Sequence, residues 1–136
     1  MSLVRKYFEK SSETISALKD HSVEIDKICE MILEISKNNH KILVAGNGGS
    51  SADADHFAGE MTCTYSNPKR RPFNAVSLSS NSAAVTAWAN DLSYEEIFSR
   101  QLEGFGSKND ILIAISTSGK SQNIINALKK AKELGM

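Results

Sequence analysis

The chain has 136 residues, a length that fits one domain with a real core. Its 16 Lys and Arg balance 16 Asp and Glu. That balance argues against nucleic acid as the main partner, because binding a phosphate backbone needs a basic excess, and any anion site must be local.

Two cysteines, Cys29 and Cys63, cannot build a disulfide framework, and no CxxC is present. They read as reduced thiols of a cytoplasmic protein. The start, MSLVRKYFEKSSE, lacks the apolar core of a signal peptide. No run approaches the roughly 20 apolar residues that span a bilayer, so no membrane partner is expected.

Leu3, Val4, Tyr7, Phe8, Ile15 and Leu18 recur at helical spacing, as do Ile25, Ile28, Ile32 and Ile35. They predict two amphipathic helices, over 3–19 and 22–37, with a polar break at Asp20-His21-Ser22. Each has an apolar face that needs a partner, in part another subunit. Residues 1–38 are therefore set apart as a helical pair for packing and oligomerisation, ahead of a second region over 39–136.

From Lys41 the texture changes. KILVA (41–45) is a short apolar strand ending in Gly46-Asn47-Gly48-Gly49-Ser50. Ser50 and Asp53 have capping-box spacing, which predicts a helix from Ser50 to about Tyr65. SNPKRRP (66–72) reads as a loop whose basic cluster, Lys69-Arg70-Arg71, is a solvated patch or a phosphate contact. A second strand is predicted over 73–78, helices over 82–89 and 94–104, a third strand over 111–115 (ILIAI), and a last helix over 122–134. Lys129, Lys130 and Lys132 complement that helix's C-terminal dipole, and Gly135 stops it. Trp88 reads as packing, Asn90-Asp91 as a helix cap, and His21 and His40 receive no role.

Alternating strands and helices, with continuously apolar first and third strands, mark an α/β fold with a parallel sheet covered on both faces. Only three strands are visible. One or two more are expected, so the chain reads as cut short at its C-terminal end.

Ligands of such sheets sit beyond the carboxyl ends of the strands. Two turns there are candidates. Gly46–Ser51 has three glycines in four positions, which lets backbone N–H groups approach an anion at a helix N-terminus. Ser116–Ser121 (STSGKS) has four hydroxyls in six residues, also opening a helix. Neither is a dinucleotide fingerprint or a Walker A loop, since Ser51 and Ala114 stand where glycines are required. Alone, each turn also reads as a ligand-free connection; two at one sheet edge point to an anion pocket. His56 and Glu60, four apart on the intervening helix, share a face. They read as a metal pair, an acid/base pair or a surface pair.

AGNGGSSADADHFAGE, RRPFNAVSL, AWANDLSYEEIFSRQLEGFG and ILIAISTSGKSQNIINALKKAKELGM together resemble the bacterial phosphoheptose isomerases, from about Lys41 to Met136. The resemblance implies a flavodoxin-like sugar isomerase (SIS) domain with helices on both faces, preceded by the two N-terminal helices. On that pattern 39–136 is a partial SIS domain lacking the last strands and the C-terminal helix. It implies a cytoplasmic homotetramer with active sites between subunits. The reaction would interconvert sedoheptulose 7-phosphate and D-glycero-D-manno-heptose 7-phosphate on the way to lipopolysaccharide heptose.

By position, Ser116, Thr117, Ser118 and Ser121 would bind the sugar phosphate, with Asn47, Gly48 and Ser50 lining the same pocket and Asp91 near the substrate. Glu60 matches the catalytic carboxylate, and His56 with Glu60 matches half of a zinc site. The family's remaining ligands, a glutamine and a histidine on a later helix, are absent. Thr64 stands where relatives often carry arginine. The chain by itself is thus expected to isomerise little. A non-catalytic SIS-domain sugar-phosphate sensor or scaffold is the alternative; the presence of His56 and Glu60 favours the enzyme.

Overall fold

The computed structural model describes residues 2–136. Contacts divide the chain into two compact units, Met1–Glu34 and Ile35–Met136.

In the first, α1 (Leu3–Ala17) is capped by Ser2, whose side chain accepts from the Arg5 N–H at 3.2 Å. A 3₁₀ turn over Leu18–His21 leads straight into α2 (Ser22–Lys37), so one continuous helical rod replaces the predicted break. The reason is local. Asp20, His21 and Ser22 are polar but neither glycine nor proline, and Ala17 and Ser22 both keep right-handed helical backbone. No residue of α1 or α2 is buried, and Leu3, Tyr7, Phe8, Ile15 and Ile28 stand exposed.

The second unit holds β1 (Ile42–Gly46), α3 (Gly49–Thr62), β2 (Ala75–Ser77), α4 (Ser82–Asp91), a short 3₁₀ turn at Tyr94–Glu96, α5 (Ile97–Phe105), β3 (Ile111–Ile115) and α6 (Gln122–Glu133). All strands are parallel, in the order β2-β1-β3, with Ile42 opposite both Ala75 and Ile111. β1 is central and buried throughout. Its alternate residues Leu43 and Ala45 join Leu78, Ile97, Phe98, Leu102, Ile124, Ala127 and Ala131 in a core on the α5/α6 side. Ile42 and Val44 point the other way by strand alternation, toward α3, whose small buried Ala54 and Ala58 permit close approach.

The N-terminal ends of β1 and β3 are tied by Asp110, which is buried. Its carboxylate accepts from the N–H groups of Lys41 and Ser107, each at 2.8 Å, and pairs with Lys41 Nζ at 2.7 Å; His40 Nδ1 lies 3.7 Å away. Burial pushes this carboxyl up, but the Lys41 ammonium and the two N–H donors outweigh it and hold it below the usual carboxylate range.

Candidate functional site

The chain leaves β1 for α3 and β2 on one side, then crosses to β3 on the other. The strand order therefore reverses at β1, and the β1 and β3 turns diverge to helices on opposite faces. That is where parallel sheets open a crevice. A small polar cleft of about 60 Å³ lies there, lined by Asn47, Ser50, Ile115, Ser116, Thr117, Ser118 and Ser121. The two candidate turns thus converge.

Each turn is built to present backbone donors. Gly46 is required by packing: a Cβ there would run into the Ser50 carbonyl. Gly48 is the N-cap of α3 at φ +55°, a conformation that glycine adopts without steric penalty. The helix consequently starts at Gly49, one residue before the predicted Ser50 cap, and no side chain caps it. The predicted capping box does not form, because the left-handed glycine makes the turn that a capping side chain would otherwise support. Among the described residues, the Gly49 and Ser50 N–H groups, the first of α3, have no acceptor and sit at the positive end of the helix dipole, whereas those of Ser51 and Ala52 bond to the Gly48 carbonyl.

The β3 turn divides its hydroxyls. Ser116 Oγ accepts from Gly119 N–H at 3.1 Å and Ser118 Oγ from Lys120 N–H at 3.2 Å, shaping the loop. Ser121 is the N-cap residue of α6, yet its side chain makes no capping bond. Among the described residues, the Thr117 and Ser121 hydroxyls take part in no hydrogen bond, so both remain available to an anion.

Asn47 is engaged otherwise. Its Nδ2 donates to Asn123 Oδ1 and its Oδ1 accepts from Asn123 Nδ2, both at 2.8 Å, while Tyr94 Oη donates to the same Oδ1 at 3.0 Å. Asn123 is only 3% exposed.

His56 and Glu60 lie elsewhere. Their side chains pair, Nε2 to Oε1, at 3.3 Å. They line a separate open cavity of about 530 Å³ with Phe57, Met61, Tyr65 and Phe73. Glu60 is ten residues beyond Ser50, about 15 Å along α3, and within this chain it does not enter the two-turn cleft. Helical periodicity explains this: Ala54 and Ala58 face the sheet, so His56 and Glu60 fall toward the outer side. Asp91, at the end of α4, is exposed, accepts from Asn90 Nδ2 at 2.8 Å, and lines neither cavity.

Zinc takes four ligands. The imidazole and carboxylate are suitable donors, but among the described residues no group of three or more His, Cys, Asp and Glu could hold a metal. The pair by itself supplies two donors, fewer than zinc takes.

Sequence reasoning missed Arg70. Its guanidinium donates to the carbonyls of Glu60 at 2.7 Å, Met61 at 3.0 Å and Arg71 at 3.0 Å, and it stacks 4.9 Å over Phe73. Instead of a solvated patch or phosphate contact, Arg70 caps the C-terminus of the helix that carries His56 and Glu60. Arg71 bonds Asn39 Oδ1.

A convergent pair of phosphate-type turns at the switch point of a parallel sheet defines the class, and residues 6–136 match the sequence model of the SIS domain. The chain is 46% identical over 132 residues to a phosphoheptose isomerase of Helicobacter pylori strain P12, covering 97% of this chain and 65% of that protein's length. It is 43% identical over 136 residues to phosphoheptose isomerase 1 of Campylobacter jejuni serotype O:2, covering all of this chain and 73% of that one.

Two solved structures share the fold. Phosphoheptose isomerase GmhA from Neisseria gonorrhoeae superposes with a TM-score of 0.80 at 38% identity, over 99% of this chain and 72% of that one. A phosphoheptose isomerase from Francisella tularensis gives 0.87 at 30% identity, over 100% and 73%. The chain belongs to the phosphoheptose isomerase family of SIS-domain proteins. No helix among the described residues is long and apolar enough to cross a membrane.

Proposed function

We propose that this chain is the sugar-phosphate-binding part of a cytoplasmic phosphoheptose isomerase, interconverting sedoheptulose 7-phosphate and D-glycero-D-manno-heptose 7-phosphate for lipopolysaccharide precursors. The observation that carries this reading is the cleft at the switch point. There two helix N-termini without side-chain caps meet the unbonded Thr117 and Ser121 hydroxyls, in a chain whose relatives bear that name. The same names leave the non-catalytic sensor without support.

Aldose–ketose exchange moves a proton between adjacent carbons through an enediol, which needs a base at carbon and orientation of the reacting end. In this reading Ser50, Ser116, Thr117, Ser118 and Ser121 form the walls that fix the phosphate, with Gly48 capping the helix behind them, backbone N–H groups and the free hydroxyls being its donors. Glu60 is the base, and exposed Asp91 meets sugar hydroxyls. Glu60 and the cleft are apart in one chain, which favours a site completed across copies in a homotetramer. The exposed apolar residues of 1–38 would pack that assembly.

His56 and Glu60 would supply two donors to a zinc ion whose other ligands come from outside the described residues. Bound there, zinc supplies Lewis-acid polarisation of a carbonyl; the base role of Glu60 is assigned to its uncoordinated form. The test is Glu60→Gln in the intact protein. Conversion of sedoheptulose 7-phosphate should fall by at least about 100-fold, with phosphate affinity retained because the cleft is separate. Wild-type turnover rejects the assignment.

A further inference from the structure

We propose that Asn47 and Asn123 form a clamp that sets the spacing of the two phosphate turns, making Asn123 a positioning residue for phosphate binding. This rests on the reading of the cleft as the phosphate site and adds a residue to it.

The hydrogen-bond directions are over-determined. The Ile124 backbone N–H donates to the Ser121 carbonyl at 3.1 Å and also lies 2.9 Å from the Asn123 amide; an Nδ2 there would set two donors against each other, so Asn123 presents Oδ1. The same oxygen faces Asn47 at 2.8 Å, so Asn47 must present Nδ2. Its Oδ1 then receives Asn123 Nδ2 at 2.8 Å and the Tyr94 hydroxyl at 3.0 Å. The result is a closed amide pair joining positions 76 apart in sequence.

Its placement matters more than its strength. Asn47 precedes the cap residue Gly48, and Asn123 follows the cap residue Ser121 by two positions. One amide pair thus locks both helix starts, and with them the donors on each wall of the cleft. A buried amide has no water to fall back on, so losing one partner leaves the other unmatched and frees both turns. With the pair closed, the Asn47 amide is turned to Asn123 and Tyr94, so it orients the site and does not serve as a phosphate ligand. A direct ligand and a clamp make opposite demands on Asn123.

The experiment compares the intact protein with Asn47→Ala, Asn123→Ala and the double substitution, with Asn123→Ser as the milder variant should Asn123→Ala fail to fold. Inorganic phosphate is titrated calorimetrically, and KM and kcat are measured for sedoheptulose 7-phosphate beside the melting temperature. The clamp predicts that each single change weakens phosphate binding about 10-fold and acts mainly through KM. It also predicts that the double change is no worse than the worse single, because either one opens the pair. Three results overturn it: wild-type phosphate affinity in the folded Asn123 variants, a melting-temperature loss with KM unmoved, or losses that multiply in the double variant. If the wild-type protein binds neither inorganic phosphate nor the sugar phosphate, the cleft itself has been misread, and the clamp falls with it.

Discussion

Replacing Arg70 by methionine separates a capping arginine from a decorative one. Methionine keeps much of the apolar stem but removes the guanidinium. Three carbonyl contacts at 2.7 to 3.0 Å are lost, on Glu60, Met61 and Arg71, together with the stacking on Phe73. A hydrogen bond from a charged donor contributes about 1.5–3 kcal/mol when buried. The Glu60 and Met61 carbonyls sit at a half-exposed helix end and that of Arg71 in the exposed loop beyond it, so all rehydrate in part and the low end applies to the group as a whole. A C-terminal cation adds about 0.3–1 kcal/mol and the ring contact about 0.5–1 kcal/mol.

The sum is about 2–4 kcal/mol, a fall in Tm on the order of 10 °C for a domain of this size. Arg70→Lys should recover only part of it, because an ammonium cannot fork across several carbonyls. Calorimetric melting of the three proteins reads the stability. Turnover well below Tm reads the consequence for Glu60, whose own carbonyl is one of those capped, and should fall for Arg70→Met beyond what unfolding explains. A Tm within about 2 °C of wild type, or lysine serving as well as arginine, refutes the capping argument.

Asp110 makes stability depend on acid in a definite direction. Its folded pKa lies below its unfolded value, so its contribution is complete above the ordinary carboxylate range and is lost as pH falls through the folded value. Asp110→Asn should therefore destabilise by about 3 kcal/mol at neutral pH and by progressively less as pH falls through the folded value, as denaturant titrations across an acid series will show; a loss independent of pH contradicts the assignment. Ser121→Ala should leave Tm within about 1 °C, since its hydroxyl makes no hydrogen bond within the chain, yet weaken phosphate binding about 10-fold. Calorimetry of both properties checks this, and unchanged affinity removes Ser121 from the site.

β1 was legible because a parallel strand buried on both faces leaves no polar alternation, as ILVAG displays; ILIAI has the same texture, yet β3 is an edge strand of the three and only half-buried along its length, short of the cover on both faces that its sequence predicts. The turns were legible because glycine and hydroxyl clusters are unusual at strand ends. Four features were not. The continuity of α1 into α2 depends on polar residues that tolerate helical backbone, which a break in apolar periodicity does not reveal. The start of α3 depends on the positive φ of Gly48, whereas spacing alone favoured Ser50. Asn123 draws no reading from the sequence, and Arg70 reads as a solvated or phosphate-contacting cation, because their partners, Asn47 and the α3 carbonyls, are defined only by tertiary placement. A faint signal existed for Asn123, which precedes Ile124 and is buried with Ala127 and Ala131 on one stripe of α6. The separation of Glu60 from the cleft was equally hidden, since sequence gives its helix face but not the direction in which that face turns.

The central claim is that the turns at 46–51 and 116–121 jointly receive a phosphate. Titrating inorganic phosphate into the ¹⁵N-labelled protein and following every backbone amide measures it most directly. The largest shifts should fall on Gly48, Gly49 and Ser50 and on Thr117 to Ser121, moving together with one affinity. Shifts confined to one turn, or centred on His56 and Glu60 with both turns silent, contradict it.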